Sequence, residues 1–330
     1  TVPGALRSVR SFVGDHPVPS ARNVAATRKM VKLLEAAGRD DLVLILVSGG
    51  GSALLADPVI PLSDYRRVFA DLLVSGADIR AMNTVRKHLS RVHGGHLARL
   101  AFPARAAALI FSDAPGARPS VVASGPTYRD RSRAKDAEKI LRRLGIAPVP
   151  LAETPKESRC FSRVSNIVVL DNGVALEAMA SEAQSLGYAP RILSRSFRGV
   201  ARRAGARLLS ALGGAGSAVI AGGETTVVVR GRGVGGRNQE VVLGALEAMA
   251  PQTLLLSIGS DGRDAETEFA GALGDSSLAE RARSRGVAPR ALLDANDSHR
   301  FFTDLGGGIQ TGPTGTNVAD LFLALRGREA

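Results

Sequence analysis

Short apolar runs alternate with longer segments of mixed polarity along most of the chain. The apolar runs predict buried strands, and the longer segments, which repeat apolar positions at helical spacing, predict helices. Strands that alternate with helices in this way are typical of parallel sheets joined by crossover helices. We predict strands over residues 42–47, 106–111, 167–170, 218–221, 225–229 and 254–258, and helices over residues 21–37, 62–74, 83–100, 134–144, 174–186, 198–212, 238–249 and 277–285.

The pattern fades between residues 147 and 165, where the stretch PVPLAETPKES contains three prolines. Proline-rich stretches without periodicity are typical of connections between domains, and 330 residues suffice for two domains. We therefore predict an α/β fold of two Rossmann-like lobes, residues 1–150 and 151–330, with an interdomain cleft. The first lobe reaches its first helix only near residue 21, so we expect its opening βα unit to be missing.

The chain carries a net charge of +12, which comes mostly from arginine. Such basicity is compatible with nucleic-acid binding, but the basic residues are interleaved with Asp and Glu, and Trp is absent. We therefore favour a solvated arginine-rich surface, which would also attract anionic metabolites, and expect no nucleic-acid partner. With one cysteine, no secretory leader and no apolar run near the roughly 18 residues that span a membrane, we expect a cytoplasmic protein without membrane contact.

Two glycine-rich loops stand out, one in each predicted lobe. The first is Ser48-Gly49-Gly50-Gly51-Ser52, directly after an apolar run, and the second is GRGVGGRNQE at residues 231–240. Glycine after a buried strand lets the backbone approach an anion, and the free N–H groups of a following helix attract it. The two loops together indicate a phosphorylated ligand, although a tight turn is the alternative interpretation for each.

Basic residues cluster at the start of the helix predicted from residue 83. Asn83, Arg86 and Lys87 suggest an anion partner, with a solvated basic surface as the alternative. His88 and His93, with a third histidine at position 96, are close in sequence, but their spacing does not put all three on one helical face. We therefore do not expect them to bind a metal.

Polar residues follow several predicted strands, where α/β proteins place catalytic groups. Asp113, Glu224 and Asp261 each stand near a strand end, and Arg237 lies in the second glycine-rich loop. An arginine beside an anion-binding turn suits the stabilisation of a transferring phosphoryl group. Thr314 belongs to a hydroxyl-rich turn, which we place before a final helix. Caps and ordinary turns remain the alternative for each residue.

Several common catalytic motifs are missing from the sequence. There is no GxxxxGK[ST] loop, which argues against a P-loop kinase, and no GxSxG, which argues against an α/β-hydrolase. The stretch GRGVGG matches only part of a dinucleotide-binding fingerprint.

From about residue 15 to its end, the chain resembles the type II glycerate kinases, whose C-terminal part is the MOFRL domain. The segments that carry the resemblance are HPVPSARN, LVSGGGSALL, LLVSGADIRAMNTVRKHLSRVHGGHLA, SDAPGARPSVVASGPT, GGETTVVVRGRGVGGRNQE, SIGSDGRDAETEFAGALGD and TGPTGTNVADL. The resemblance implies ATP-dependent phosphorylation of D-glycerate, usually at O2, in the cleft between two α/β lobes. ATP and Mg²⁺ are the implied cofactors, and homo-oligomerisation stays open.

The resemblance also implies roles for individual residues. Arg237 matches the arginine proposed as catalytic, and Asp261 is our candidate for the metal. The candidates for binding substrate or phosphate are Ser48, Gly49, Gly50, Gly51, Ser52, Asn83, Arg86, Lys87, Asp113, Gly223, Glu224, Asn238 and Thr314.

The chain departs from the family pattern at several points. It contains no Gly-Lys-Ala motif, whose lysine is also proposed as catalytic in the family. Ala117 stands where a second Asp is usual, Arg263 replaces a small residue, and Glu268 replaces an Asp. Two alternatives therefore stay open: an NAD(P)H-dependent hydroxypyruvate reductase, and an inactive or metabolite-binding fragment. No complete dinucleotide fingerprint supports the reductase, whereas the missing lysine supports the fragment.

Overall fold

The computed structural model describes residues 9–116 and 118–328. The predictions that depend on the first eight residues, such as the absence of a leader, and on Ala117 lie outside the described residues. Within the described part, no helix is both long enough and apolar enough to cross a membrane.

The chain forms two compact units. The first comprises Thr1–Phe111 and Ala117–Val169, and the second comprises Ser112–Gly116 and Leu170–Ala330. The boundary thus falls later than the predicted residue 150, because the proline-rich stretch is followed by a strand that joins the sheet of the first unit.

The first unit contains six α-helices, two short 3₁₀-helices (Pro119–Ser124 and Ser158–Cys160) and three strands among its described residues. The helices are α1 (Ala21–Glu35), α2 (Gly51–Leu54), α3 (Leu62–Val74), α4 (Ile79–His88), α5 (His96–Ala101) and α6 (Ala134–Arg143), and the strands are β1 (Leu42–Val47), β2 (Arg105–Phe111) and β3 (Val164–Leu170). Side-chain caps start several of these helices: Ser20 Oγ accepts a hydrogen bond from the backbone N–H of Arg22 at the start of α1, and Asp78 accepts one from Ala81 at the start of α4.

The sheet of the first unit has the order β1-β2-β3, and β1 is parallel to β2. Val43 and Ile45 point to a core beneath one face of this sheet. On the opposite face of β1, Leu42, Leu44 and Leu46 are 69%, 57% and 66% exposed. Successive side chains of a strand point to opposite faces, so only one face of β1 is covered.

The single helix predicted over residues 83–100 is wrong. The chain forms α4 and α5 instead, separated by a turn in which Gly94 and Gly95 have φ of +60° and +92°. Glycine adopts this left-handed conformation without steric cost. The helical spacing of apolar residues therefore continues across a break that the two glycines create.

The second unit has a larger, mixed sheet. Its helices are α7 (Asn172–Ser185), α8 (Ala201–Leu209), α9 (Arg237–Ala245), α10 (Ser276–Ser284), α11 (Pro289–Asp294) and α12 (Ser298–Leu305), and its strands are β4 (Ala189–Phe197), β5 (Ser217–Gly223), β6 (Thr253–Gly259), β7 (Gly271–Asp275), β8 (Gly308–Ile309) and β9 (Asp320–Arg326).

The strands of the second unit follow the order β4-β5-β9-β6-β7-β8. β4 and β5 are parallel, but β9 is antiparallel to both β5 and β6, and β7 is antiparallel to β6 and β8. The prediction of parallel sheets therefore holds for only part of this unit. The predicted final helix is wrong, because residues 320–326 form β9, whose Phe322 and Leu323 pack into cores on opposite faces of the sheet.

The strand predicted over residues 225–229 is also absent from the described structure. Thr226 makes only an isolated bridge to Val200. β5, which directly precedes this stretch, already has β4 and β9 on its two sides. A further strand would have no free edge of β5 to pair with.

Candidate active site

A cavity of about 900 Å³ opens at one edge of the sheet in the second unit. β4, β5 and β6 run in the same direction, so their carboxyl ends meet at this edge, together with the beginning of the antiparallel strand β9. This is where α/β proteins bind ligands. The charged residues that line the cavity are Arg198, Glu224, Arg237, Asp261, Arg263 and Asp264.

Arg237, the first residue of α9, is held on two sides by carboxylates. Its Nε and Nη2 donate hydrogen bonds to the two carboxylate oxygens of Asp320, at 2.7 and 3.0 Å. Its Nη1 donates to Glu224 Oε1 at 2.8 Å. Because a bidentate pair restrains the guanidinium plane as well as its position, Arg237 is presented to the cavity in one orientation.

Burial by itself shifts the pKa of both Arg237 and Asp320 in the direction that favours the neutral form. Burial raises the pKa of Asp320, and the hydrogen bonds and charge of Arg237 oppose that rise. Burial alone would lower the pKa of Arg237, but the hydrogen bonds and charge of Asp320 outweigh it and raise the pKa above its ordinary value. With two short hydrogen bonds joining them, we take the pair to be ionised at neutral pH, so that Arg237 keeps its positive charge.

Asp320 was missed as a site residue at the sequence level. The side chain of Asp320 is fully buried at the start of an apolar strand. A carboxylate is rarely found fully buried without a partner, so an Asp at the edge of the run VADLFLAL could have indicated a buried ion pair. Its partner could not be identified, because Arg237 is 83 positions away.

Asp264 occupies the beginning of helix α9. Its carboxylate accepts hydrogen bonds from the backbone N–H groups of Asn238 and Gln239, at 3.0 and 2.8 Å, and from both of their side-chain amides. A side chain on Gly236 would overlap this carboxylate. The prediction that this helix start presents its N–H groups to a ligand is therefore wrong, because an internal carboxylate already binds them.

The other glycines of the second loop also contact protein rather than open space. Side chains at Gly231, Gly233 and Gly235 would overlap residues 295–298, most of all the backbone of Ala295 and the hydroxyl of Ser298. The pattern GRGVGG is thus explained by close packing of two segments. It needs no bound pyrophosphate to account for it.

Several candidates beside the cavity have their polar groups engaged internally. Asn238 is buried, and its amide donates to Asp264 and Asp320 while it accepts from Ser257. The hydroxyl of Thr314 donates to the carbonyl of Ser260 at 2.5 Å. These residues shape the loops around the cavity.

Within the ranges that the structure describes, two further predicted site residues, Gly223 and Asp113, have no side-chain hydrogen bonds of this kind. A side chain at Gly223 would overlap the backbone of Phe197, so this glycine permits close packing of β5 on β4. Asp113 is half-buried and forms no side-chain hydrogen bond with any residue in the described part of the chain. Pro115, from the same short segment, does line the cavity.

Asp261 is the cavity carboxylate that suits a cation. Its Oδ1 accepts a hydrogen bond from the backbone N–H of Arg263 at 3.1 Å. Among the residues that the structure describes, no group of three or more His, Cys, Asp or Glu side chains is placed to hold a metal ion. Mg²⁺ in phosphoryl-transfer sites typically uses only one or two carboxylates, together with water and phosphate oxygens, and Asp261 fits that requirement.

A second polar cluster lies in the first unit and joins Ser52, Asn83, Arg86 and Ser124. Ser124 Oγ donates to Asn83 Oδ1 at 3.0 Å and lies 2.9 Å from Ser52 Oγ. Arg86 Nη1 donates to the same Asn83 oxygen at 2.7 Å. The Nε of Arg86 has no hydrogen-bond partner among the described residues. The cluster therefore brings together three predicted residues, Ser52, Asn83 and Arg86, around Ser124.

The backbone at Ser124 is unusual. Ala123 and Ser124 have φ of +47° and +57°, and Gly125 follows with +62°. Residues other than glycine rarely adopt such angles, and they cluster at functional sites when they do. Ser124 was not among the predicted site residues, although the hydroxyl immediately before Gly-Pro in ASGPT was a signal that could have identified it.

The first glycine-rich loop leads into α2, a helix of only four residues. Gly50 has φ of +75°, and a side chain at Gly51 would lie 2.7 Å from the Cβ of Ala123. Close packing of this loop on the strained segment thus requires Gly51. Ser48 is exposed, and Gly49 is half-buried.

Lys87 is part of a structural ion pair. Its Nζ donates to Asp130 Oδ1 at 3.1 Å, and its side chain is only 18% exposed. Burial opposes ionisation of Asp130, but Ser132 and Lys87 together hold its pKa below the ordinary value. The charge of Lys87 is therefore already paired inside the unit, and a role for Lys87 in binding substrate stays a prediction.

The three neighbouring histidines are internal. His88 is hydrogen bonded to Ala152 and Ser132. Burial is the main cause that lowers the pKa of His93 to about 3 and that of His96 to about 4. Both imidazoles are therefore neutral at pH 7.

Comparisons with known proteins agree with this architecture. A family model described as a domain of unknown function (DUF4147) matches residues 2–156, and the MOFRL family model matches residues 217–320. Over 98% of its length, the chain is 37% identical to a D-glycerate 2-kinase of Thermotoga maritima and covers 81% of it. It is 40% identical over 94% of its length to an Agrobacterium vitis protein provisionally named hydroxypyruvate reductase, of which it covers 76%.

The fold agrees with a solved structure as well. A crystal structure of glycerate kinase from Thermotoga maritima has a TM-score of 0.93 and 37% identity, covering 98% of this chain and 82% of that chain. The resemblance found in the sequence motifs is thereby confirmed. The chain belongs to the glycerate kinase family with a MOFRL domain.

Proposed function

We propose that this chain transfers the terminal phosphoryl group of ATP to the 2-hydroxyl of D-glycerate, giving 2-phosphoglycerate and ADP. The observation that carries the proposal is the constrained guanidinium of Arg237 in a large cavity, in a chain that has several relatives named glycerate kinases over nearly its full length. A cytoplasmic location and dependence on Mg²⁺ are part of the proposal.

Arg237 would stabilise the charge that spreads over the phosphoryl oxygens during transfer. Such stabilisation is most effective when the donor is already oriented, because no reorganisation is needed as the reaction proceeds. Asp320 orients the guanidinium through two hydrogen bonds, and Glu224 holds the third nitrogen. Asp320 is therefore a positioning residue in this mechanism.

Asp261 would hold Mg²⁺, which when bound would neutralise phosphate charge. In the first unit, Arg86, held against Asn83 and Ser124, would offer its guanidinium to a carboxylate or to phosphate oxygens. Arg86 takes this role without Lys87, whose charge Asp130 neutralises.

The first experiment measures ADP release by the purified chain with Mg-ATP, with and without D-glycerate. Glycerate-dependent ADP release is expected, and phosphorus NMR should identify the product as 2-phosphoglycerate. A folded chain that releases no ADP in the presence of glycerate would contradict the proposal.

Substitution of Arg237 tests its role, and the ion pair determines the choice of variant. Arg237→Ala would leave the buried carboxylate of Asp320 with the amide of Asn238 but without a charge partner, and removing one partner of a buried ion pair typically destabilises a protein by about 3–5 kcal/mol. Arg237→Lys keeps a charge beside Asp320 but loses the planar fork. We expect kcat to fall about 100-fold or more while the unfolding midpoint changes little. Arg283→Lys, on the exposed surface of α10, is the control.

Hydroxypyruvate reductase is the second candidate, since two relatives from Agrobacterium vitis carry that name provisionally. Packing of Gly231, Gly233 and Gly235 on residues 295–298 removes the main sequence argument for a dinucleotide site. We expect no oxidation of NADH or NADPH when hydroxypyruvate is added. A hydroxypyruvate-dependent rate would favour the reductase.

A further inference from the structure

Two arginines in the cavity of the second unit have no role in the mechanism described above. Arg198 follows β4 and Arg263 follows β6, and both line the same cavity as Arg237. Neither side chain forms an ion pair or a hydrogen bond with any residue of the described ranges 9–116 and 118–328. Their guanidinium groups therefore keep their full capacity to donate.

The situation of Arg237 is different. Its Nε, Nη1 and Nη2 all donate to carboxylates, and the charges of Asp320 and Glu224 oppose its own. Arg237 is thus well oriented, but its attraction for a ligand anion is reduced. Arg198 and Arg263 therefore carry the positive charges in the cavity that form no ion pair with a carboxylate of the described residues.

The position of Arg263 is fixed by the turn that carries it. Its backbone N–H donates to Asp261 Oδ1, and the next residue, Asp264, is buried against the start of α9. Gly262 has φ of +84°, and a side chain there would overlap the carbonyl of Gly312. Asp264 therefore anchors the turn of Arg263 to the helix that begins with Arg237.

We propose that Arg198 and Arg263 form an anion subsite that binds the phosphate chain of the nucleotide donor. This inference rests on the proposed kinase function. Guanidinium groups bind phosphate oxygens through paired, charge-assisted hydrogen bonds. The cavity of about 900 Å³ is near the upper end of the range for small-molecule sites, which suits a nucleotide better than a three-carbon acid alone.

The test uses Arg198→Gln, Arg263→Gln and the double variant, with Arg283→Gln as a matched control outside the cavity. Binding of ADP and of inorganic tripolyphosphate to the complete chain is measured by calorimetry. Each single substitution should weaken binding of both probes about tenfold, and the double variant should weaken it further. The control should bind as the unsubstituted chain does. Circular dichroism and unfolding midpoints verify that each variant is folded.

The kinetic constants separate two sources of the anion. A phosphate subsite raises the KM for ATP in the variants and leaves the KM for glycerate unchanged. A rise in the KM for glycerate, with unchanged binding of tripolyphosphate, would assign the arginines to the substrate carboxylate and overturn the proposal. Unchanged binding of both probes in the double variant would also overturn it.

The binding measurement does not require turnover, so the two proposals can fail separately. If the unsubstituted chain binds tripolyphosphate through these arginines but releases no glycerate-dependent ADP, the subsite stands and the kinase proposal fails. If glycerate-dependent ADP release is present but the double variant binds both probes normally, the kinase proposal stands and the subsite fails.

Discussion

Ser124 allows backbone strain and hydrogen bonding to be measured separately in the first unit. Its φ of +57° is left-handed, and its hydroxyl is bonded to Asn83 and Ser52 at 3.0 and 2.9 Å. Ser124→Ala removes the hydroxyl and keeps the strain, whereas Ser124→Gly removes both. Comparing the two variants with each other therefore isolates the backbone contribution.

The magnitudes follow from these contacts. Loss of the hydrogen bonds to Asn83 and Ser52, together with the longer one from Arg86 Nη1 at 3.4 Å, should lower the free energy of unfolding by about 2 kcal/mol in both variants. The left-handed conformation costs a residue with a Cβ about 1–2 kcal/mol, while glycine gains about 0.4–1 kcal/mol of freedom in the unfolded chain. Ser124→Gly should therefore be more stable than Ser124→Ala by about 1 kcal/mol.

Urea unfolding with equal m-values gives the difference in stability, and kcat/KM for glycerate phosphorylation gives the effect on the site. Because both variants lack the hydroxyl that holds Asn83 and orients Arg86, their kcat/KM should fall by the same factor, about tenfold. Ala265→Gly calibrates the strain alone, since Ala265 is exposed with φ of +55°. A Ser124→Ala variant as stable as Ser124→Gly would refute the strain, and unchanged kcat/KM would refute the role of the hydroxyl.

Two further predictions concern buried groups. Gly236→Ala should displace Asp264 from two backbone N–H groups and lower the free energy of unfolding by about 3 kcal/mol or more. Gly214→Ala is the control, because a side chain there meets nothing within 4 Å and should change the free energy of unfolding little. Equal effects of the two substitutions in urea unfolding would refute the account of Gly236. The depressed pKa values of His93 and His96, about 3 and about 4, mean that the unfolded chain takes up protons first as the pH falls below 6.5. The contribution of the two neutral histidines to the free energy of unfolding is therefore fully present above pH 6.5. It falls as the pH is lowered, and by pH 5 each histidine should have lowered the free energy of unfolding by about 2 kcal/mol. A His93→Gln variant should lose about 2 kcal/mol less than the unsubstituted chain between pH 7 and pH 5, and parallel pH profiles of stability would contradict this assignment.

The sequence predicted local features well where apolar spacing and capping agree. Strands β1, β2, β5 and β6 and most of the longer helices lie close to their predicted bounds. The sequence-based prediction failed where the spacing of apolar residues is compatible with both a helix and a strand. The run Leu321–Leu325 is compatible with a buried helix or a buried strand, and it forms β9 because β5 and β6 each offer it an edge. β4 was missed because its polar residues obscure any alternation.

In the candidate site, too, some features could be predicted from local sequence and others depend on tertiary contacts. Composition and motifs by themselves determined the α/β class, the family and the position of Arg237, since these depend on residues that are close in sequence. Tertiary structure alone decided that Asp320 orients Arg237, that Asp264 rather than a ligand binds the start of α9, and that Asp130 neutralises Lys87. These partners are 83, 26 and 43 positions apart. Whether a charged side chain is available to a ligand depends on which distant group the fold brings beside it, and no local pattern carries that information.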